Sequence, residues 1–300
     1  METVQILMST YNGEKYIREQ IDSFLQQTYP SINILVRDDG SSDGTIAILQ
    51  EYAEKYDNIT YYKGNNLGVI QSFLQLLRDS DDAAGYYAFA DQDDVWLPEK
   101  VEKAVEMLEN NKETSLPLLY CSDVYVTDED LNVIKIDKKQ ARPSFGNALV
   151  QNICTGCTAV MNHELRDIIN QTKPVNIVMH DWWFYLTASL HGDVIYDHNP
   201  YMYYRQHGNN EWGAKTRKKD ILKYRLKQLS KKRGHIYRQN EEAIKAYEKI
   251  DVTKRRLLEL VQESEHGIAG KIKLAVNRNI YRNGKEDDLV YRLIVILGKL

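Results

Sequence analysis

Three cysteines and six prolines in 300 residues are too few for a disulfide framework or a proline-rich linker. Cys121, Cys154 and Cys157 are an odd set. Cys154 and Cys157 do form a C-x-x-C, but it lies within "NICTGCTAV", away from the strand-to-helix turn of a thioredoxin-like redox pair, and no second pair completes a zinc site. They are read as small core-lining residues. No stretch approaches the roughly 18 uninterrupted apolar residues that a bilayer span requires. The opening "METVQILMSTYNG" lacks a basic region followed by a long apolar run, so no secretory signal is read and a cytoplasmic location is expected. A glycine-rich G-x-G-x-x-G is also missing after the first apolar segment, which argues against a dinucleotide-dependent dehydrogenase. Internal repeats and low-complexity tracts are absent.

What is present is an ordinary globular composition, 43% hydrophobic and 27% charged. The net charge of -4 conceals an asymmetry: residues 1–214 carry 16 Lys/Arg against 32 Asp/Glu, and residues 215–256 carry 16 against 5. A boundary is therefore expected near residue 214, separating an acidic domain, 1–214, from a basic, mainly helical extension, 215–300. In the extension, Ile221, Leu222, Leu226 and Leu229 recur at helical spacing beneath a basic face.

From the N-terminus, short apolar strands alternate with helical stretches: strands at 4–8, 32–36, 59–63 and 86–90, and helices at 14–27, 45–55 and 69–78. This alternation predicts an α/β fold with a mostly parallel sheet covered on both faces. Ligands of such sheets gather beyond the carboxyl ends of the strands. The four strands exit into "STYNG", "RDDGSSDG", "KGNNLG" and "DQDD", all polar and turn-forming. Further along, "LPLLYCSDVYVTDEDLNVI" reads as two strands around an acidic turn, "HDWWFYLTASLHG" as a buried helix, and "DVIYDHNPYMYYRQHG" as strands returning to the same rim.

Asp91, Asp93 and Asp94 stand at the end of a buried strand, where like charges repel and desolvation is costly without a compensating partner. In an extended segment Asp91 and Asp93 share one side, which suits Mg²⁺ or Mn²⁺ held together with substrate phosphates. The alternative is a helix cap before the helix that follows Pro98, with the other carboxylates solvated. For Asp38 and Asp39, an Asx turn at Gly40 employs one carboxylate and leaves a second for a ligand.

Taken together, "STYNGEKYIREQIDSFLQQTYP", "VRDDGSSDGT", "NNLGVIQSF", "DQDDVWLPEK", "TGCTAVMNHEL", "MHDWW" and "YRQHGNN" resemble the family 2 glycosyltransferases, in the family's order across residues 1–210. "DQDDVW", "HDWW" and "YRQHGNN" are most similar to the bacterial rhamnosyltransferase-like subgroup that builds surface polysaccharides. The resemblance implies the GT-A fold, a Rossmann-like sheet flanked by helices. It also implies inverting, metal-dependent transfer from a nucleotide-sugar donor, dTDP-rhamnose or a UDP-hexose, to a glycan acceptor that is itself lipid-linked. It assigns Thr10, Tyr11 and Asp38 or Asp39 to the base and ribose, Asp91 to the ribose and phosphate, and Asp93 to the Mn²⁺ or Mg²⁺. Arg205 and His207 approach the diphosphate or metal, with His207 the second metal residue. Asp181 becomes the catalytic base, whose plain alternative is a helix cap. Trp182 and Trp183 offer apolar faces to a sugar or fill a core, and Gly156 allows close approach of an acceptor or makes a turn.

The basic extension, ending in the apolar "LVYRLIVILGKL", suits an anionic membrane surface at the inner face of the cell membrane or a homodimer contact, and nucleic acid is not expected. Two competing readings share the carboxylates. A metal-dependent phosphohydrolase or nucleotidyltransferase uses the same phosphate chemistry, and a non-catalytic sugar-nucleotide or glycan-binding module needs no base.

Overall fold

The computed structural model describes residues 1–111, 116–208 and 234–300. Two compact units interleave along the chain. The first comprises Met1–Lys138, Cys154–Gln171 and Asp193–Asn210, and the second Lys139–Ile153, Thr172–Gly192 and Glu211–Leu300. The expected boundary at 214 and the helical positions Ile221, Leu222, Leu226 and Leu229 lie outside the described residues.

The first unit holds eleven described strands: β1 Val4–Thr10, β2 Ile32–Asp38, β3 Ile59–Lys63, β4 Tyr86–Ala90, β5 Val95–Trp96, β6 Leu118–Ser122, β7 Tyr125–Thr127, β8 Val133–Ile136, β9 Val160–Asn162, β10 Asp193–Asp197 and β11 Met202–Arg205. Seven form the main sheet in the order β10-β6-β9-β4-β1-β2-β3, and four form a smaller sheet, β5-β11-β7-β8. β1, β2, β3 and β4 are mutually parallel, and β9 is antiparallel to both β4 and β6. β6 and β10 therefore point the same way as β4, and their ends reach the same rim. The mostly parallel α/β architecture expected from the alternation is the one observed.

Packing explains the pattern. Every residue of β4 is buried, as a central strand covered on both faces requires. The helix Ile17–Leu25 turns Ile17, Ile21 and Phe24 inward at i, i+4 and i+7. The helix Gly68–Arg78 buries Phe73, Leu74, Leu76 and Leu77, and Phe73 meets Phe89 of β4 edge-on at 6.1 Å.

The stretch 116–134 departs from the expected pair of strands. After β6 the chain leaves the main sheet, where the Asp123 N–H donates to the Asp197 carbonyl at 3.0 Å, and β7 then joins the smaller sheet. The acidic turn links β7 to β8, closed by Asp128, whose Oδ1 accepts from the N–H groups of Asp130 and Asn132 at 3.0 and 2.9 Å. A continuous apolar reading hid the change of sheet because β6 and β7 are separated by only two residues.

The second unit is helical among its described residues. A single turn, Phe145–Ala148, is capped by Ser144, whose hydroxyl accepts from Asn147 N–H at 3.1 Å. The helix His180–His191 is the buried one expected from "HDWWFYLTASLH". Helices Val252–His266, Ile268–Val276 and Lys285–Ile296 follow His235–Ala246. Asp251 caps Val252–His266, its carboxylate accepting from Thr253 and Lys254 N–H.

Phe89 of β4 is fully buried against Phe73 of the helix Gly68–Arg78. Phe89→Ala is expected to cost about 3–5 kcal/mol, read as a lower urea midpoint at unchanged slope.

Candidate active site

The rim is assembled by strand register. Thr10, the last residue of β1, pairs with Asp38 of β2, which pairs with Lys63 of β3, while Met8 pairs with Ala90 at the end of β4. Four polar exits therefore leave the sheet side by side, as the sequence suggested. Gln92 ties two of them together. Its Oε1 accepts from the Thr10 hydroxyl at 2.6 Å and from Tyr11 N–H at 2.9 Å, and its Nε2 donates to the Tyr11 carbonyl at 3.2 Å. Thr10 is buried beneath this clamp, whereas the Tyr11 side of the loop is about half exposed. Asn12 turns the loop with φ +49 and is met by the third partner, Ser41, whose hydroxyl accepts its N–H at 2.8 Å.

Asp38 and Asp39 divide their labour in a way the sequence left open. Asp38 makes the Asx turn, its Oδ1 accepting from Gly40 and Ser41 N–H at 3.1 and 2.9 Å. Its other oxygen is buried without a hydrogen-bond partner. Asp39 is committed inward: Arg37 pairs with it while fully buried, and Leu67 and Gly68 donate their N–H groups at 2.8 and 2.9 Å. Gly68 holds φ +74, a conformation that side-chain-bearing residues rarely adopt, and this lets both amides face one carboxylate.

The segment 91–94 bends at Gln92 and Asp93 instead of staying extended, so the expected alternation of carboxylates does not hold. Asp93 turns to His207, with His207 Nε2 2.8 Å from its Oδ2. Asp91 and Asp94 instead come together with Cys157, one potential ligand atom from each lying within 4.8 Å of the others. Asp94 is buried; its Oδ1 accepts from Arg205 N–H at 3.1 Å and its Oδ2 has no hydrogen-bond partner. Burial first, then the charges of Asp93 and Asp91, push its carboxyl well above the usual carboxylate range. Burial likewise raises the Cys157 thiol, with Asp94 and Asp91 adding to the effect. Beneath them Lys100 is buried with its ammonium 3.4 Å from the Trp96 ring centroid, and burial lowers its pKa to about 7.

These residues fit a hard divalent cation. Buried acceptor oxygens without donors, crowded by like charge, are the arrangement that a cation relieves. Asp91 and Asp94 supply oxygen to that cluster and Asp93 faces His207 instead, while a thiol kept protonated is a poor ligand for Mg²⁺ or Mn²⁺. Cys121, Cys154 and Cys157 are buried thiols outside any disulfide, as the core reading expected, but Cys157 also borders this cluster.

Arg205 braces the rim from below. Its Nε donates to the Asp93 carbonyl at 2.9 Å, its other nitrogens reach the Glu129 carbonyl and the Glu19 carboxylate, and its guanidinium lies over Tyr16 at 4.7 Å. Only 3% of Arg205 is exposed and its nitrogens are engaged by these protein partners, where the sequence resemblance had it approaching the diphosphate. His207 stacks on the same Tyr16 ring at 4.8 Å. Gly156 opens a 3₁₀ turn, Gly156–Thr158.

Asp181 belongs to the second unit. The helix begins at His180, and Met179 at its N-cap makes no side-chain cap bond, so Asp181 is not the cap residue. Its Oδ1 accepts from the neighbouring Trp182 N–H at 2.7 Å, and 8% of the residue is exposed. Trp182 donates Nε1–H to the Ala148 carbonyl at 2.7 Å. Trp183 is fully buried and stacks on Tyr247 at 5.9 Å, so of its two readings the structure takes the core one. Sequence reasoning missed Gln92, Arg37, Tyr16 and Lys100, and it named Asp94 without giving it a site role. Only Gln92 had a visible signal, its place inside "DQDD".

A mostly parallel sheet flanked by helices is the architecture of the GT-A glycosyltransferases, and solved structures share this fold. Staphylococcus aureus TarS 1–349 in complex with UDP-GlcNAc aligns at TM-score 0.59 and 16% identity over 98% of this chain and 90% of that one. The mannosyltransferase PcManGT from Pyrobaculum calidifontis, in complex with GDP-Man and Mn²⁺, aligns at TM-score 0.56 and 16% identity over 99% and 86%. The model of Glycosyl transferase family 2 matches residues 5–168. The dTDP-rhamnosyl transferase RfbG of Shigella flexneri is 32% identical over 242 residues, 77% of this chain and 81% of RfbG. A glycosyltransferase of Rickettsia typhi, RT0329, is 28% identical over 212 residues, 68% of this chain and 64% of its own length, so the chain spans less than two-thirds of that relative. The chain belongs to glycosyl transferase family 2.

His180, beside Asp181, has its pKa lowered to about 3 by burial. In the unfolded chain it titrates near 6.5, so the unfolded state binds the extra proton between these values. This contribution to stability is present above about pH 6.5 and is lost as pH falls toward 3. His180→Phe is expected to flatten the fall in urea midpoint between pH 7 and pH 5, measured by circular dichroism.

Proposed function

We propose that this family 2 glycosyltransferase inverts configuration, moving rhamnose from dTDP-rhamnose, or a hexose from a UDP donor, to a glycan acceptor carried on a lipid in bacterial surface-polysaccharide synthesis. One observation carries the donor half. Asp38 and Asp94 each present a buried oxygen without a partner on the rim where Thr10, Tyr11, Asp91 and Asp93 also emerge. Such oxygens are costly unless a ligand or cation meets them. RfbG, by its name, takes a dTDP-rhamnosyl donor, and this favours rhamnose over a hexose.

In this reading Tyr11 offers its half-exposed ring to the base, and the free oxygen of Asp38 accepts from the base or ribose. Asp91 lies toward the ribose and phosphate. Asp93, with Asp91 and Asp94, would hold a Mg²⁺ or Mn²⁺, which when bound would supply positive charge near the departing diphosphate. Arg205 keeps the Asp93 segment in place through its carbonyl, and His207 orients the Asp93 carboxylate. Asp181 takes the acceptor hydroxyl proton as that oxygen attacks the anomeric carbon opposite the leaving group, and no covalent intermediate is required. The catalytic domain covers 1–214 in this assignment, with the helical extension beyond it.

The test uses the purified full chain with dTDP-rhamnose and UDP-hexoses. Slow protein-dependent donor hydrolysis is read by mass spectrometry and donor binding by calorimetry with and without Mn²⁺. Asp181→Asn is expected to lower turnover at least about 100-fold while donor affinity stays within a few-fold. Asp93→Ala is expected to remove the Mn²⁺-dependent part of donor binding. Undiminished turnover in the first variant, or unchanged metal-dependent affinity in the second, refutes the roles given.

A further inference from the structure

Helices Ile268–Val276 and Lys285–Ile296 of the second unit each bury one face and expose another that is equally apolar. The first buries Gly270, Leu274 and Ala275; the second buries Tyr291, Ile294 and Val295. At about 100° per residue, Ile268, Ile272 and Val276 lie roughly opposite the first set, and Leu289, Leu293, Ile296 and Leu297 opposite the second. All seven are exposed, from 44% at Leu293 to 76% at Ile268.

The two helices lie side by side and antiparallel. Arg292 donates to the Asn277 carbonyl at 3.1 Å and to the Ala275 carbonyl. At the other end, the Lys271 chain passes so close to Gly298 that a Cβ there would meet its Nζ at 2.6 Å. The stripes therefore run next to each other on the side away from the buried residues. Isolated exposed aliphatics need no explanation, but seven in two adjoining rows make a continuous patch of the kind that soluble surfaces avoid.

Charge identifies the occupant. Residues 267–300 carry seven Lys/Arg against three Asp/Glu, and Lys273, Arg278 and Lys285 are exposed. Lys273 is only loosely engaged, 3.9 Å from Glu263. Aliphatic rows flanked by Lys273, Arg278 and Lys285, with Glu286 the exposed acid at one end of the second row, match the interface of an anionic bilayer, with side chains in the acyl boundary and ammonium groups among the headgroups. A second copy of the chain would bring the same positive border onto itself. Among the described residues no helix is long and apolar enough to cross a membrane.

We infer that the paired helices 268–276 and 285–296 dock the protein on an anionic lipid surface through Ile268, Ile272, Val276, Leu289, Leu293, Ile296 and Leu297. The inference stands apart from the donor-site reading and uses none of its residues. Its test is flotation of the full chain with vesicles of phosphatidylcholine alone and of equimolar phosphatidylcholine and phosphatidylglycerol. The chain is expected to float with the mixed vesicles, more weakly at high salt, and not with the neutral ones. Ile272→Gln, Leu293→Gln and Ile296→Gln combined should lower the partition at least about ten-fold while helicity and donor hydrolysis persist. If that variant does not fold, Lys273→Glu with Arg278→Glu must lower binding to mixed vesicles. Failure of the wild-type chain to float, equal flotation of all variants, or a wild-type dimer that the glutamine substitutions dissociate without any vesicle binding would each overturn it.

Discussion

One buried guanidinium holds the acidic rim in shape. Arg205 ends a strand of the smaller sheet, yet its contacts reach the Asp93 carbonyl, the Glu129 carbonyl in the acidic turn and the Glu19 carboxylate on the first helix. Its backbone N–H also holds Asp94. A planar fork with five donors can serve several directions at once, which a lysine ammonium cannot do with the same fixity. Because the three carboxylates of 91–94 repel one another, their placement depends on such an external brace.

The same logic runs through the neighbouring exits. Arg37 neutralises Asp39 in the interior, and that pair, with the amides of Leu67 and Gly68, fixes the loop that follows β3. Breaking a buried pair of this kind leaves an uncompensated charge, so its members are structurally constrained however the ligand site is used. Asp38 differs: one oxygen of its carboxylate builds a turn and the other is buried without a hydrogen-bond partner. Adjacent residues of identical chemistry thus have different surroundings.

Much of this was legible in one dimension. Alternating apolar runs and polar exits gave the parallel sheet, since periods of 2 and 3.6 and the chemistry of Gly, Asn and Asp turns are local properties. Helix 45–55 and strands 59–63 and 86–90 stand where they were expected. The departures have local causes too. A bend at Gln92 and Asp93 reassigned which carboxylates meet, and a two-residue gap at Asp123–Val124 passed the chain between sheets. Trp183 illustrates a third kind, because an aromatic on a helix presents the same letter whether it faces a sugar or a core.

The sequence by itself determined the fold class, the family and the stretches that carry polar chemistry, because all three are written in spacing and residue type. Tertiary structure alone decided the division between Asp38 and Asp39, the grouping of Asp91, Asp94 and Cys157 apart from Asp93 and His207, and the exposure of the aliphatic rows at 268–297. The physical reason is common to them. A side chain's partners and its access to water depend on which distant segments pack against it, and helical periodicity cannot say which of two apolar faces is the one left outside.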